Sequence, residues 1–137
     1  MIIAVDFDGC LCENRWPDIG NPNWPTIHQL IDRKAKGDRL ILWTCREGER
    51  LNEAVTWCAN HGLRFDTIND NIPENITKYG NNCRKVWADE YWDDKSVCVE
   101  QGFFRASGFS NIYLINSGSP MPTDIKTRLR FLFTGRM

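Results

Sequence analysis

Two short stretches of uninterrupted apolar residues constrain the fold of this chain more than any other feature. Residues 2–6 read Ile-Ile-Ala-Val-Asp and residues 40–43 read Leu-Ile-Leu-Trp, with no polar residue alternating along either apolar stretch. A continuous apolar run of this length is typical of a strand that is buried on both faces of a sheet. We therefore predict a mainly parallel sheet that is covered on both sides and whose first strand ends at Asp6.

Helical periodicity fills the space between the predicted strands. Between Pro25 and Gly37, apolar residues recur with spacings i, i+3, i+4 and i+8, which predicts an amphipathic helix. A second helix is predicted from about residue 47 to 61, a third strand over 65–68 and a fourth strand over 85–92. Alternating strands and helices indicate right-handed βαβ units, so the predicted fold class is α/β.

Two segments carry neither periodicity and are predicted to be loops. Residues 13–25 contain several Pro, Gly and Asn residues, and residues 69–84 are polar and interrupted by Pro73 and Gly80. We expect no more than one helical turn in the second of these segments. The first of these segments is too short to form a folded domain of its own.

The last forty residues give weaker signals. Residues 111–115 are a candidate fifth strand, and residues 124–133 are a candidate amphipathic basic helix. The predicted organisation is one α/β domain over residues 1–116, followed by a linker and a basic helix or tail over 117–137. No functional residue is predicted beyond Ser96.

Charge and composition disfavour several classes of protein. With 17 basic and 18 acidic residues the formal net charge is −1, so the sequence gives no basic surface for nucleic acid or an anionic membrane. No apolar run approaches the ~20 residues of a membrane span. The six cysteines include no C-x-x-C pair, and we expect reduced thiols in a cytoplasmic protein.

Acidic and hydroxyl side chains follow the predicted strands at their carboxyl ends. Asp6 and Asp8 follow the first strand, Thr44 follows the second, and Asp93 and Asp94 follow the fourth. These strand ends share one edge of an open α/β sheet, where ligands bind. Crowded carboxylates repel one another, and oxygen ligands favour Mg2+ as the neutralising cation. The sequence therefore predicts a magnesium site at which one aspartate attacks a phosphate while another moves a proton.

Three motifs carry a resemblance to a known family. Asp-Phe-Asp-Gly at 6–9, Leu-Trp-Thr at 42–44 and Tyr-Trp-Asp-Asp at 91–94 occur in the order of the first, second and fourth motifs of the haloacid-dehalogenase-like (HAD) hydrolases. The chain resembles this family over about residues 1–96. The resemblance implies a Rossmann-like, three-layer α/β/α sandwich without a sizeable cap, and phosphate-ester hydrolysis through an aspartyl-phosphate intermediate.

The resemblance also implies a role for each residue. Asp6 would be the nucleophile and a metal ligand, and Asp8 would be the general acid/base, which binds Mg2+ through its main-chain carbonyl. Thr44 would bind the phosphate group, and Asp93 or Asp94 would complete the metal shell. The implied substrate is a small phosphorylated molecule.

The phosphate-binding lysine of the family has two candidates. Lys85 is the second residue of Arg-Lys-Val-Trp-Ala-Asp at 84–89, which is similar to the Arg-Lys-x-x-Ala-Asp pattern of a compact branch of the family. Lys78, in the preceding predicted loop, is the alternative. Asp89 either supports the lysine or is an ordinary polar residue with its hydrogen bonds satisfied.

Other residues near the motifs leave alternatives open. Arg46 either binds a second anionic group of the substrate or forms an ordinary surface ion pair near the start of a helix. Trp16 and Trp24 either cover the site or pack over the edge of the sheet. A nucleophilic role for Cys10 is disfavoured, because no base lies next to it in the sequence.

The absence of a cap bears on the substrate and the partners. An open site implies either a macromolecular phosphate ester as substrate or closure of the site by homo-oligomerisation. Two other functions remain as alternatives: a catalytically silent HAD-like module that binds phosphate or metal, and a phosphatase acting on nucleic-acid 3′ ends. The near-neutral charge disfavours the last.

Overall fold

A computed structural model describes residues 1–102, of which residues 1–96 form one compact unit. The elements in chain order are β1 (Ile2–Val5), β2 (Cys12–Arg15), β3 (Asp18–Pro22), α1 (Trp24–Ala35), β4 (Arg39–Leu42), α2 (Gly48–Asn60), β5 (Thr67–Ile68), α3 (Pro73–Tyr79) and β6 (Glu90–Trp92). Four of the strands form a sheet in the order β5-β4-β1-β6, in which every neighbouring pair is parallel. The predicted Rossmann-like α/β fold with a mainly parallel sheet is confirmed.

The two faces of the sheet are covered differently. Ile3 and Val5 of β1 are fully buried against a cluster to which α1 and α2 contribute. Ala4, on the opposite face, packs with Ile41 of β4 and with apolar residues from the segments before α3 and before β6. Helix α3 itself contributes no buried residue. The sheet is therefore covered on both sides, with two helices on one face and a thin layer on the other, which explains the continuous apolar strands.

The segment between β1 and α1 is more ordered than predicted. Instead of a loop, β2 and β3 form an antiparallel hairpin in which Asn14 pairs with Ile19 and Arg15 with Asp18. Most of the hairpin is exposed on both faces, so its sequence lacks the alternation that marks a half-buried strand. The hairpin is too small to count as a cap domain.

The prediction of a strand over residues 85–92 is wrong for its first five residues. Only Glu90–Trp92 pair with β1, because β1 begins at Ile2 and offers no partner to the residues that precede Asp89. Lys85 therefore does not open a strand. Similarly, the segment 69–84 contains a seven-residue helix, α3, where one turn at most was expected.

Side chains satisfy the backbone of the segment before β6. The Trp87 N–H donates to Asn71 Oδ1 at 2.7 Å, and the Ala88 N–H donates to the Tyr91 hydroxyl at 3.1 Å. That hydroxyl in turn donates to the Val86 carbonyl at 2.7 Å. Since these groups need no partner strand, the segment is fixed without belonging to the sheet.

Asp89 lies at the amino edge of the sheet, away from the carboxyl ends of the strands. Its carboxylate accepts a hydrogen bond from the Ile2 N–H at 2.7 Å, and its own N–H donates to the Ile2 carbonyl at 2.7 Å. Of the two roles expected for Asp89, the structure thus supports the ordinary one, a polar residue whose hydrogen bonds are satisfied by the backbone.

Several predictions lie outside the described residues. These are the fifth strand at 111–115, the basic helix at 124–133 and the boundary between 116 and 117. In the part of the chain that the structure describes, no helix is long and apolar enough to cross a membrane.

Asn71 holds together the chain on both sides of α3, and its loss should be costly. Its side chain donates to Asn82 Oδ1 at 2.8 Å and to the Cys83 carbonyl at 3.1 Å while accepting the Trp87 N–H. Asn71 is only 5% exposed, so Asn71→Ala leaves buried groups unpaired and should lower the unfolding free energy by about 2–3 kcal/mol. Urea denaturation measures this loss.

The matched control is Asn52→Ala, which removes an exposed asparagine from α2. It should change the free energy of unfolding by less than about 0.5 kcal/mol. Equal effects of the two substitutions would show that the Asn71 hydrogen bonds do not stabilise the fold.

Candidate active site

Three aspartates meet where β1 and β6 end. Asp6 follows β1, and Asp93 and Asp94 follow β6. The Asp6 N–H donates to the Trp92 carbonyl at 2.9 Å, so the two strands stay paired up to the point where the carboxylates begin. Carboxylate oxygens of all three residues lie within 4.8 Å of one another. That spacing allows one divalent cation to contact all three.

The environment of Asp6 disfavours its charged form. Partial burial raises the pKa of Asp6 from 3.8 to about 7, although a hydrogen bond from the Phe7 N–H opposes the shift. The negative charge of Asp93 and the hydrogen bond and charge of Asp94 raise it further. A cation at this position would counter the repulsion and favour the carboxylate form of Asp6.

Gly9 allows Asp94 to approach the turn that follows β1. Its φ of +84° lies in the left-handed region of the backbone, which residues other than glycine adopt only at an energetic cost. A Cβ on Gly9 would also lie only 2.8 Å from the Asp94 Cγ. Two physical factors thus favour glycine at position 9: the left-handed backbone conformation and the close approach of the Asp94 side chain.

Asp8 lies outside this cluster, because its carboxylate is bound by Arg46. The Arg46 Nε donates to Asp8 Oδ2 and its Nη2 donates to Asp8 Oδ1, both at 2.8 Å. The arginine side chain is only 1% exposed. Asp8 raises the pKa of Arg46, so the guanidinium stays charged in this buried position. Bidentate geometry fixes the plane of the Asp8 carboxylate as well as its distance.

The rest of the guanidinium is also occupied by protein groups. Its nitrogens donate to the carbonyls of Pro17, Asp18 and Arg50 at 3.0–3.3 Å. The rings of Phe7 and Trp16 each lie 5.0 Å from its central carbon.

These contacts correct both roles expected for Arg46. It is buried, so it is not an ordinary surface ion pair, and its donors are all directed at the protein instead of at a substrate. Arg46 instead links three parts of the chain: Asp8 after β1, the turn of the hairpin and the start of α2. The sequence gives no signal for this link beyond the position of an arginine close to Thr44.

The two loop tryptophans differ in their surroundings. Trp16 packs on Arg46, next to the Asp8 side of the site. Trp24 packs on His28 and His61, with ring centres 5.1 and 5.3 Å apart. Of the two roles expected for these tryptophans, Trp24 has the packing role. Trp16 instead lies over Arg46, the partner of Asp8.

Thr44 and Asp6 share an open cavity. The cavity has a volume of about 300 Å³ and is lined by Asp6, Trp43, Thr44, Cys45 and Asp93. The Thr44 hydroxyl accepts a hydrogen bond from the Arg46 N–H at 3.1 Å. Among residues 1–102, no group accepts a hydrogen bond from the Thr44 hydroxyl. The hydroxyl can therefore donate its hydrogen to a bound phosphate.

Asn69 is a site residue that the sequence analysis missed. Its Oδ1 accepts the Thr44 N–H at 2.8 Å, which fixes the backbone next to the cavity. Its φ of +51° is left-handed, a conformation that asparagine tolerates better than most residues. The run Asn-Asp-Asn at 69–71, directly after β5, is the only signal that could have indicated such a turn.

Neither candidate lysine lines the cavity of Asp6. The Lys85 ammonium lies 5.3 Å from the centre of the Tyr91 ring, and that ring lies 5.7 Å from the ring of Trp43, which does line it. The Lys78 ammonium lies 5.2 Å from the ring of Tyr79 on α3. Contacts thus connect Lys85, but not Lys78, to the wall of the cavity, and the identity of the phosphate lysine stays a prediction.

Cys10 is unsuited to act as a nucleophile. Burial and the charges of Asp6, Asp94 and Asp93 raise the pKa of its thiol to about 12. At neutral pH it is a protonated, weakly reactive group. All six cysteines are free thiols in the structure.

The raised pKa of Asp6 predicts how Asp6→Asn changes stability. A carboxyl whose folded pKa is about 7 and whose unfolded value is near 3.8 makes the fold less stable as the pH rises through this window. In EDTA at pH 8, Asp6→Asn should raise the free energy of unfolding by on the order of 1 kcal/mol, a figure reduced for solvent screening. At pH 4 the gain should vanish.

Thermal unfolding at both pH values measures this difference. Asp32→Asn, at an exposed position of α1, serves as the control and should leave the melting temperature unchanged. An equal gain at pH 4 and pH 8 would contradict the electrostatic explanation.

The buried guanidinium predicts a large effect for a conservative change. Arg46→Lys retains the charge but loses the bidentate contact and the carbonyl contacts, so it should destabilise the protein by about 2–4 kcal/mol in urea. Arg50→Lys is the matched control, because Arg50 is 44% exposed and pairs with Glu53 on α2. It should change stability by no more than about 0.5 kcal/mol. Similar losses in the two variants would rule out a special role for the Asp8–Arg46 pair.

Comparison with known proteins identifies one relative by structure. No protein-family model matches the chain, and no curated protein matches it. A solved structure, described as that of a conserved protein coded by locus from Bacteroides thetaiotaomicron, superimposes with a TM-score of 0.64 and is 42% identical in sequence. The match covers 71% of this chain and 78% of that chain. With this identity over most of the relative's length, the chain belongs to the same family as the conserved Bacteroides protein.

Proposed function

We propose that the protein is a cytoplasmic, magnesium-dependent phosphohydrolase that cleaves phosphate monoesters through an aspartyl-phosphate on Asp6. The observation that carries the proposal is the meeting of Asp6, Asp93 and Asp94 at the ends of β1 and β6. The cavity that Asp6 shares with Thr44 gives a phosphate group access to the nucleophile. The resemblance of the motifs to the HAD hydrolases supplies the order of the chemical steps.

The residues of the cluster fit a magnesium ion. All their ligand atoms are carboxylate oxygens, which suit a hard divalent cation. Burial, followed by the charges of Asp93 and Asp94, raises the pKa of Asp6, and a bound cation would oppose this shift. Asp6, Asp93 and Asp94 would hold the ion, with the main-chain carbonyl of Asp8 as the further ligand that the resemblance implies. When bound, the magnesium ion would offset part of the negative charge on the phosphate oxygens.

The protein groups supply the remaining chemistry. A carboxylate oxygen of Asp6 attacks phosphorus, and the bond from phosphorus to the leaving oxygen breaks as that oxygen takes a proton from Asp8. A water oxygen then attacks phosphorus while Asp8 takes a proton from that water, and the bond from phosphorus to the Asp6 oxygen breaks, which releases inorganic phosphate and restores the Asp6 carboxylate. The Thr44 hydroxyl donates to a phosphate oxygen, and Lys85 is the candidate for a balancing charge.

The Asp8–Arg46 pair distinguishes the two steps assigned to Asp8. Both Asp8 oxygens accept hydrogen bonds from Arg46, which matches the second step, in which Asp8 accepts a proton. The first step requires an oxygen that carries a proton, so one of these two hydrogen bonds must break. The pair is also the observation that favours the alternative function, a module that binds phosphate or metal without turnover.

The proposal predicts loss of activity on changing Asp6. The full chain with MgCl2 and a chromogenic aryl phosphate should release the aryl alcohol, and Asp6→Asn should lower kcat by ~10³-fold or more because the nucleophile is lost. EDTA should abolish the activity. Asp32→Asn, on the exposed side of α1, should retain it.

The outcomes separate the two functions. Full activity of Asp6→Asn would overturn the nucleophilic role of Asp6. A wild-type protein that hydrolyses no phosphate ester, yet is stabilised against thermal unfolding by magnesium with beryllium fluoride, would support the binding module instead.

A further inference from the structure

A second cavity lies between α3 and the segment that precedes β6. It has a volume of about 290 Å³, and none of the residues that line it lines the cavity of Asp6. Two aromatic rings, three carboxamides, one lysine and one cysteine form its wall. This volume lies at the lower end of the range for small-molecule sites and suits one ring system.

The two aromatic residues of this cavity are each about half exposed. Tyr79 is 53% exposed and Trp87 is 45% exposed. Exposed rings in a concave surface are suited to stacking on a flat ligand, and base stacking on such rings contributes about 1–3 kcal/mol.

The Asn75 carboxamide provides the polar part of a recognition surface, since it lines the cavity and carries both a donor and an acceptor. The Asn81 carboxamide also lines the cavity, but it already donates to the Tyr79 carbonyl at 3.4 Å and accepts from the Cys83 thiol at 2.9 Å. The Asn75 Nδ2 is buried and has no hydrogen-bond partner among the described residues. A buried donor without a partner is unfavourable, so a ligand that offers an acceptor gains a hydrogen bond that the protein does not itself satisfy.

The wall of the cavity is fixed before any ligand binds. Asn71 accepts the Trp87 N–H and donates to the Cys83 carbonyl, and the Tyr91 hydroxyl holds residues 86 and 88. Although residues 81–88 are irregular, their positions are thus set by hydrogen bonds from two anchored side chains. A preformed wall reduces the entropy that binding must overcome.

Both cavities border the layer that covers Ala4. Ile72 and Val86, which adjoin lining residues of the second cavity in sequence, pack with Ala4, and Trp43 in the wall of the first cavity packs against the same cluster. Lys85 lines the second cavity, while its ammonium contacts Tyr91, which packs on Trp43 in the wall of the first. A chain of three side chains, Lys85, Tyr91 and Trp43, thus leads from the second cavity to the wall of the first, and Lys85 carries the positive charge suited to a phosphate ester.

From this arrangement we propose that the second cavity binds the base of a mononucleotide whose phosphate is hydrolysed at Asp6. The base stacks on Tyr79 and Trp87, its edge accepts a hydrogen bond from the Asn75 carboxamide, and Lys85 lies between base and phosphate. This inference names the substrate class of the proposed phosphohydrolase and therefore rests on that function. It also explains why an enzyme without a cap can select a small substrate.

The kinetic test compares esters that differ only in the base. With the full chain and MgCl2, nucleoside 5′-monophosphates should be hydrolysed with a kcat/KM at least about 10-fold above that of ribose 5-phosphate. Trp87→Ala should remove most of this preference by lowering kcat/KM for the nucleoside 5′-monophosphates, whereas Trp24→Ala, outside both cavities, should retain both the preference and the hydrolysis of ribose 5-phosphate. Trp87→Phe should restore part of it, since a ring is again available for stacking. Equal kcat/KM for the two esters would overturn the proposal.

A binding measurement keeps this test independent of catalysis. Nucleosides without phosphate should bind to the Asp6→Asn protein in calorimetry, and binding should be lost with Trp87→Ala or Asn75→Ala but retained with Trp24→Ala, an exposed tryptophan on α1. Nucleoside binding without turnover of any ester would refute the hydrolase and retain the base site. Hydrolysis of ribose 5-phosphate without nucleoside binding would refute the base site and retain the hydrolase.

Discussion

The pairing of β1 with β6 is the constraint on which the site depends, because it forces like charges together. Burial of Ile3 and Val5 favours this sheet, and the same register brings Asp6 to the level of Asp93 and Asp94. The hydrophobic core thus stabilises an arrangement that electrostatics alone would oppose. A cation bound among the three carboxylates would relieve a repulsion that the fold maintains.

Two aspartates separated by one residue have opposite electrostatic surroundings. Asp8 is matched by a buried guanidinium of the protein, whereas Asp6 faces further carboxylates and has a pKa of about 7. A protein cation therefore balances the charge of Asp8, whereas the proposed magnesium ion would balance that of Asp6. Environments that separate the behaviour of neighbouring acids are a general means of giving them different chemical roles. Arg46 adds a structural role, because it also links the hairpin to α2.

The sequence predicted those parts of the fold that local pattern determines. The apolar runs of β1 and β4, the stripes of α1 and α2, and the positions of the site aspartates at strand ends were all accessible in this way. The hairpin was not, because most of its residues are polar and only Cys12 and Ile19 contact the core, and residues 85–89 were not, because side chains such as those of Asn71 and Tyr91 satisfy their backbone. The pairing of Asp8 with Arg46 joins residues 38 positions apart, and no spacing rule predicts such a contact.

The uneven cover of the sheet explains where ligands can reach it. Helices α1 and α2 seal the face of Ile3 and Val5, whereas irregular chain forms much of the layer over Ala4. Irregular chain held by single asparagine and tyrosine side chains leaves concave gaps that packed helices would fill. Both cavities border this layer, because Trp43 in the wall of the first, and Ile72 and Val86 next to lining residues of the second, pack in the cluster of Ala4. The thin cover over Ala4 thus leaves this side of the sheet accessible at two places, whereas packed helices close the other.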